Sequence, residues 1–365
     1  MGLSVIGLKR SFVQQFPAIH RKFMKNHKTS LNDSSNQVSV LTSVLRVASR
    51  KVRFVTWVRA LLSSLFYDLR KNKTLLLMAL PGLVAVFIVS YMPMPGVVLA
   101  FKNYKAAQGI WGSNWVGLNN FEFLFNSGIA WTIIRNTLVL NTLFIIAAQV
   151  CSITMSVLMN EVYHTKLAKV YQSILFFPHF VSWVLVGYFT FAFLNSDTGY
   201  VNTLLVSFGR DPINWYAEPQ HWYSILVFLS VWKGLGYFTI IYLAGMLNIN
   251  QEYYEAARID GANKLQEIRY ITLPLIRPLV IINVLLAIGR IFFANFDFIY
   301  NVTRDASLLL PTVNVIDTFV YRSLAASGNY NLASSAGFFQ AVMGLVLILF
   351  ANTLVRRIDK EQALF

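Results

Sequence analysis

The chain has 365 residues, of which 56% are hydrophobic and only 13% are charged, roughly half the charged share of a soluble domain. This composition and several continuous apolar stretches of about 20 residues exclude a soluble protein and favour membrane-spanning helices. A transmembrane β-barrel would instead show short segments of alternating polarity. The single cysteine excludes an intramolecular disulfide, and no histidine pair has metal-ligand spacing, so no metal site is predicted.

The N-terminal segment, residues 1–73, is strongly basic. It contains fourteen Lys and Arg residues against two acidic residues, which accounts for most of the formal net charge of +15. Because Lys and Arg accumulate on the cytoplasmic side of membrane proteins, we predict a basic cytoplasmic extension. Residues 37–70 mix Val and Leu with Arg and Lys and predict an amphipathic helix in the membrane interface. Nucleic-acid binding is disfavoured because the charge lies beside the first apolar stretch, where anionic lipid attracts it.

Six apolar stretches follow and predict an all-α membrane domain over residues 74–355. The predicted transmembrane helices are 74–101, 132–159, 170–194, 222–247, 279–300 and 334–355. Proline is expected to break the first and third of them, at Pro81, Pro93 and Pro178. Six crossings place both termini in the cytoplasm, where residues 356–365 form a short tail.

The cytoplasmic connection 248–278 contains an unusually polar run, "EAARIDGANKLQEIRYITLP" from Glu255 to Pro274. Strong helix formers open it, Gly261 permits a sharp turn, and an apolar face resumes before Pro274 and Pro278 interrupt the chain. The pattern predicts a short helix, a turn and a second short helix between the fourth and fifth spans.

Ionisable residues inside the predicted spans indicate a transport pathway, because they are expensive in a bilayer. Arg290 and Asp297 are seven residues apart in the predicted fifth span, so a continuous helix would place them on one face with Asn283. Aromatic rings beside polar groups suit the binding of sugars. The predicted pathway residues are Trp232, Lys233, Tyr237, Arg290, Asn295, Asp297 and Tyr300. Alternatively, the aromatic residues form an interfacial belt and the charged residues pair with partner subunits.

The polar run resembles the loop that characterises permease subunits of binding-protein-dependent ABC importers. The matching residues are Glu255, Ala256, Ala257, Gly261, Ile271, Leu273 and Pro274. Asp260-Gly261-Ala262, Pro278 and "GLNNFEFLF" at 117–125 are similar to the sugar-importing branch. The stretch 176–202, "FFPHFVSWVLVGYFTFAFLNSDTGYVN", resembles the members of that branch that handle oligosaccharides.

The resemblance implies a six-helix permease of the type I importer architecture that performs no catalysis. Its loop would be a coupling helix that docks on a separate ATPase. The coupling residues would be Tyr253, Glu255, Ala256, Ala257, Asp260, Gly261, Ala262 and Lys264. Two partner ATPase subunits would bind ATP and Mg, and this chain would need no cofactor. A second homologous permease, an extracytoplasmic solute-binding protein, a carbohydrate substrate and membrane lipid would be the other partners, in a bacterial plasma membrane.

The sequence leaves two other functions open. One is an ABC permease with a cargo other than sugar. The other is an ion-coupled secondary transporter in which Asp297 or Lys233 is the coupling site. A secondary transporter would leave the polar loop without a role, and the internal inverted repeats that many such transporters carry are not evident in this sequence.

Overall fold

The computed structural model describes residues 71–122, 126–163 and 166–358. The predictions for residues 1–70 and for the tail from residue 359 onward therefore lie outside the described residues. The chain divides into two units, Met1–Pro93 and Met94–Phe365. In the first unit, helix α1 (Lys73–Val86) is followed by a π-helix over Phe87–Tyr91. The helix α1 runs through Pro81, so the break predicted there is wrong, because a membrane helix tolerates a proline when its freed backbone is satisfied elsewhere.

The second unit begins with short elements around a small antiparallel hairpin. They are a 3₁₀-helix (Met94–Phe101), β1 (Lys102–Asn103), a 3₁₀-helix (Ala106–Gln108), α2 (Gly109–Gly112), β2 (Asn114–Trp115) and a 3₁₀-helix (Asn119–Phe121). Lys102 pairs with Trp115, and Asn103 with Asn114. The Asn120 side chain stabilises this region because its Nδ2 donates to the carbonyls of Ala100, at 3.0 Å, and Lys102, at 2.9 Å.

The next elements form the second and third spans. Helix α3 (Gly128–Val162) begins at Ser127, whose side chain accepts a hydrogen bond from the Ala130 N–H. Helices α4 (Ala168–Phe180) and α5 (Trp183–Leu194) meet at an angle of 93°. The break predicted at Pro178 is confirmed, because Pro178 lies in the last turn of α4 and Ser182 begins α5.

The fourth and fifth spans are joined by short helices. After α6 (Tyr200–Ser207) and a 3₁₀-helix (Pro219–His221) come α7 (Trp222–Leu247), α8 (Gln251–Ile259), α9 (Lys264–Glu267), a π-helix (Ile268–Thr272) and α10 (Leu273–Gly289). The apolar fifth helix begins at Lys264, well before the predicted residue 279. The expected interruption at Pro274 and Pro278 is wrong. Both prolines lie within the continuous helical segment Lys264–Gly289, Pro274 directly after the π-helix and Pro278 inside α10. A membrane helix tolerates a proline when its freed backbone is satisfied elsewhere.

The last elements are α11 (Phe296–Thr303), a 3₁₀-helix (Ser307–Leu309), α12 (Leu310–Val313), α13 (Ile316–Ala325) and α14 (Tyr330–Ile358). The fifth span was predicted to continue to residue 300, which is wrong, because α10 ends at Gly289 and residues 290–295 are not helical. The hydrophobic core lies around α11. It contains Leu140, Val186, Trp222, Leu226, Ala294, Phe298, Ile299, Val302, Leu309, Val313 and Val315.

Within the described residues, five helical segments are long and apolar enough to cross a membrane, and the bent pair α4 and α5 makes a sixth if it counts as one span. The five are Lys73–Phe101, Gly128–Val162, Pro219–Leu247, Lys264–Gly289 and Tyr330–Arg357. The structure therefore confirms a helical membrane domain of five to six spans in the predicted order, although the bounds of the fifth differ.

Candidate functional site

The polar loop folds as a helix, a tight turn and a second helix, which confirms the predicted local structure. Asn250 begins α8 by accepting a hydrogen bond from the Glu252 N–H, at 3.1 Å. At the turn, Gly261 has a φ of +84°, a conformation that residues with a Cβ seldom adopt. Asn263 then begins α9 with a capping box, in which its side chain and that of Gln266 each accept a backbone N–H of the other residue, at 3.0 and 2.7 Å.

An ion-pair network attaches this loop to the membrane helices. The buried carboxylate of Glu267 accepts a hydrogen bond from Arg258 Nε at 2.8 Å and lies 3.3 Å from Lys264 Nζ. The same Lys264 ammonium lies 3.1 Å from Glu161, near the end of α3. Lys264, predicted as a coupling residue, thus contacts the second span. The network links α8 and α9 to α3.

Most of the predicted coupling residues are exposed in the part of the chain that the structure describes. Of the predicted coupling residues, Tyr253, Glu255, Ala256, Asp260, Gly261 and Lys264 are exposed, whereas Ala257 and Ala262 are half-buried. Two apolar side chains that are not in the predicted set of coupling residues are also strongly exposed, Ile259 at 87% and Leu265 at 77%. The signal was present in the sequence as two large aliphatic residues flanking a polar turn. Exposed aliphatic side chains beside charges are typical of a protein-docking surface.

The second candidate region is the non-helical segment 290–295, which follows α10. Three side chains from three other helices satisfy its backbone. Asn141 Nδ2 on α3 donates to the Ile291 carbonyl at 2.7 Å, and Gln340 Nε2 on α14 donates to the Phe292 carbonyl at 2.7 Å. Asp317 on α13 accepts from the Ala294 N–H at 2.8 Å. Irregular backbone at membrane depth needs such partners, because lipid supplies none.

Asp317 and Gln340 also contact each other, with Gln340 Nε2 3.1 Å from the Asp317 carboxylate. Burial raises the pKa of the Asp317 carboxyl, whereas the hydrogen bonds from Gln340 and from the Ala294 N–H oppose that shift by favouring the charged form. Sequence reasoning missed Asn141, Asp317 and Gln340. The available signal was that Asn141 and Gln340 are amides inside apolar spans, where polar residues usually have a specific partner.

Helix α11 follows the break and is strongly amphipathic. Its buried face consists of Phe298, Ile299, Val302 and Thr303. Its other face carries Asp297, Tyr300 and Asn301, and Arg304 caps its C-terminal end. These four residues are exposed or half-buried. Asp297, Tyr300 and Asn301 follow the helical spacing i, i+3 and i+4 and so share one face, and Arg304, just after the helix, lines the same pocket as Tyr300 and Asn301. We name these four residues the α11 polar face.

The pathway predicted from sequence is corrected in part by this geometry. Arg290 lies at the end of α10, separated from Asp297 by non-helical backbone, so the two do not share a helix face with Asn283. Asn295 begins α11, with its Oδ1 accepting from the Phe298 N–H at 3.1 Å. Tyr300 stacks on Phe296, with ring centroids 5.0 Å apart. The structure therefore groups Asn295, Asp297 and Tyr300 on one short helix.

The predicted pathway residues of the fourth span lie in other surroundings. Lys233 Nζ donates to the carbonyls of Pro178, His179 and Val181 and thereby satisfies the backbone at the bend between α4 and α5. Tyr237 stacks on the His179 ring, with centroids 5.3 Å apart. Trp232 lines an apolar cavity of about 570 Å³ between α5, α6 and α7. These three residues are thus not placed on the α11 polar face.

Broken apolar spans, an amphipathic helix after one of the breaks and a helix–turn–helix between two spans are typical of membrane transport proteins. The chain matches, over residues 152–363, the family described as "Binding-protein-dependent transport system inner membrane component". It belongs to that family.

Similar proteins agree with this assignment. The chain is 35% identical over 293 residues to Protein LplB of Bacillus subtilis, which covers 80% of this chain and 92% of the relative. It is 34% identical over 302 residues to the polygalacturonan/rhamnogalacturonan transport system permease protein YteP of the same organism, covering 81% and 92%. A crystal structure of a bacterial ABC transporter for import of the acidic polysaccharide alginate matches with a TM-score of 0.73 and 34% identity, covering 81% of this chain and 99% of that one.

These findings confirm the expected class. The protein is an all-helical, multi-pass inner-membrane permease of the type I ABC importer architecture, in the branch whose members import sugars and oligosaccharides. It is the transport component and not the enzyme of its system, and the nucleotide is bound by a separate ATPase. A related alginate transporter was crystallised together with its periplasmic protein, which carried an alginate pentasaccharide.

Proposed function

We propose that this chain is one of two homologous permeases in an ATP-driven importer that translocates an oligosaccharide. An extracytoplasmic solute-binding protein delivers the sugar, and two ATPase subunits bind on the cytoplasmic side. Both termini lie in the cytoplasm of a bacterial cell, as the basic N-terminal segment favours. The observation that supports this proposal most directly is the loop α8–α9, with its exposed aliphatic side chains and its ion pairs to the second span.

The exposed side of the loop docks into the ATPase. Tyr253, Ile259 and Leu265 supply apolar contact area, and Glu255 supplies a charged anchor. Closure of the ATPase pair on ATP would pull two such loops together. The Lys264–Glu161 contact and the helical continuity from α9 to α10 would pass that movement to the second and fifth spans, giving alternating access by rigid-body motion.

The sugar passes along the α11 polar face, together with Asn295. Relatives of this chain are named for polygalacturonan/rhamnogalacturonan and for arabinooligosaccharides, and a similar solved transporter imports alginate. These names favour an oligosaccharide cargo. Hydroxyl groups of a sugar require hydrogen-bonding side chains such as Asn and Asp, which α11 presents beside the ring of Tyr300.

The test is uptake by liposomes that contain the complete permease–ATPase complex and enclose ATP, with the solute-binding protein outside. We expect labelled oligosaccharide to accumulate only when ATP is enclosed and the binding protein is present. A complex with an ATPase subunit that cannot hydrolyse ATP is the control. Accumulation driven by an ion gradient without ATP would instead indicate a secondary transporter. Accumulation of a non-sugar ligand, without accumulation of any oligosaccharide, would show that the importer carries a cargo other than sugar.

A further inference from the structure

We propose that Arg304 makes this pathway selective for acidic oligosaccharides by binding a carboxylate of the sugar chain. The proposal rests on the proposed function and adds a charge requirement to it. It starts from a small polar pocket between α5 and α11, whose volume is about 220 Å³. The pocket is lined by Val184, Gly187, Tyr188, Tyr300, Asn301 and Arg304.

The pocket exists because α5 and α11 approach very closely at one point. A Cβ on Gly187 would lie only 2.5 Å from the Asn301 carbonyl oxygen, so no larger residue fits there without displacing the backbone. This contact fixes the α11 polar face against α5. Pockets for whole small molecules usually begin at about 300 Å³. The smaller volume therefore suits one part of a longer chain that continues along α11.

Arg304 is held at the end of this pocket in an unusual backbone conformation. Its φ is +56° and that of Asp305 is +50°, and these are the two residues other than glycine with positive φ in the described chain. Such conformations cost free energy and are retained where the surrounding structure imposes them. The Arg304 guanidinium lies over the Phe191 ring of α5, with its Cζ 4.0 Å from the ring centroid. The ring fixes the position of the cation without neutralising its charge.

The charge of Arg304 is not compensated by a carboxylate of the described residues. The neighbouring carboxylate, Asp305, lies 2.5 Å from Arg322 Nη1. Arg304 takes part in none of the ion pairs that join residues of the described ranges 71–122, 126–163 and 166–358. A guanidinium presents a planar set of donors that matches a carboxylate in a two-point contact. A uronate unit supplies that carboxylate, whereas a neutral sugar does not.

The rest of the polar face suits the hydroxyl groups of the same chain. Asn301 Nδ2 donates a hydrogen bond to the Asp297 carbonyl, at 2.7 Å, which holds the Asn301 side chain on the face of the helix. Asp297 lies seven residues before Arg304, which corresponds to about 10 Å along a helix axis. An acidic sugar would therefore contact the Arg304 guanidinium at one end of the α11 polar face. At the other end, the Asp297 carboxylate would accept hydrogen bonds from its hydroxyl groups. The same separation keeps its carboxylate away from Asp297.

The experiment measures binding to the purified permease–ATPase complex in nanodiscs, without the solute-binding protein, so that only the permease selects. The probes are an oligogalacturonate and its fully methyl-esterified counterpart of equal length. Arg304→Gln should weaken binding of the oligogalacturonate about tenfold to hundredfold, the range for losing a hydrogen bond to a charged group. Binding of the ester should weaken clearly less than binding of the oligogalacturonate, because a neutral ester carbonyl accepts a weaker hydrogen bond than a carboxylate. Arg304→Lys should retain part of the selectivity, and Arg210→Gln, at an exposed arginine of the connection 195–221, is the matched control.

Equal weakening of both probes by Arg304→Gln, or an unchanged affinity for the oligogalacturonate, would overturn the charge requirement. So would a wild-type complex that binds the ester and not the acid. In each of these cases the proposed function is tested separately by the uptake assay. If liposomes with the wild-type complex still take up a neutral oligosaccharide with ATP, the proposed function is correct and only the charge requirement is wrong. Loss of complex assembly in Arg304→Gln but not in Arg304→Lys would assign Arg304 to a subunit contact, which also overturns the proposal.

Discussion

The loop α8–α9 and the break at residues 290–295 are both departures from a regular membrane helix, yet they are stabilised in different ways. The loop takes its shape largely from residues within it. Asn250 and Asn263 begin its helices, and Gly261 makes its turn. The break takes its shape from Asn141, Asp317 and Gln340, which are distant in sequence. A local structure can thus be read from a short segment, whereas one held by tertiary hydrogen bonds cannot.

The largest effect is expected from disrupting the locally determined loop. The double variant Gly261→Pro with Glu255→Lys should reduce ATP-driven uptake to background. Proline cannot adopt a φ of +84° and would remove the N–H that bonds the Arg258 carbonyl at 3.1 Å. The measurements are uptake in vesicles and co-purification of the ATPase.

Gly209→Pro is the control for that variant, because Gly209 also has a positive φ, of +72°, but lies in the connection 195–221. It should leave co-purification of the ATPase intact. Normal transport by the double variant would contradict the assignment of α8–α9 as the coupling element.

The second-largest effect on transport is expected from substitutions in α11, the helix that follows the break. Alanine at Asn295, Asp297 or Tyr300 should each lower substrate-dependent transport by roughly tenfold, as expected when a hydrogen bond to substrate is lost. Assembly with the ATPase should be preserved, because these side chains lie outside the buried core around α11. Transport kinetics should be compared at several substrate concentrations. Unimpaired kinetics in all three variants would make α11 a structural element only.

A smaller, thermodynamic effect should follow from weakening the support of the break. Asp317→Leu leaves the Ala294 N–H without its partner, and Gln340→Leu does the same for the Phe292 carbonyl. Each should lower the free energy of unfolding by about 1–3 kcal/mol, a few degrees in Tm. Thermal unfolding of the detergent-solubilised complex measures this change. Asp211→Asn, at an exposed carboxylate, is the control, and an unchanged Tm in both leucine variants would show that the break does not need these partners.

The smallest effect is expected from the network that joins the loop to α3. Glu267→Gln keeps the shape of the side chain but removes the charge that holds Arg258 and Lys264. We expect transport per ATP hydrolysed to fall about two- to fivefold, a change below 1 kcal/mol in coupling, with the complex still assembled. Glu252→Gln, an exposed residue of α8, should not change this ratio. A Glu267→Gln complex with wild-type coupling would show that the network is not part of the transmission.

The sequence by itself determined the membrane class, the third-span break at Pro178 and the helix–turn–helix of the polar loop. Each of these depends on composition or on residues close together in the chain, such as the caps at Asn250 and Asn263. The sequence also contains, between Glu255 and Pro274, the residue spacing that resembles the permease family. The bounds of the fifth helix were predicted less well, since hydrophobicity alone does not distinguish α10 and α11 from one continuous span.

Only the tertiary structure decided where that span ends and which polar residues share a face. The backbone of residues 290–295 can leave the helix because Asn141, Asp317 and Gln340 supply hydrogen-bond partners for the Ile291 carbonyl, the Ala294 N–H and the Phe292 carbonyl, respectively. That interruption separates Arg290 from Asp297, so the polar face of α11 does not continue to Arg290. The shared face of Asn283, Arg290 and Asp297 that a continuous helix predicts is therefore absent, because the hydrogen bonds that determine the local geometry come from distant parts of the chain.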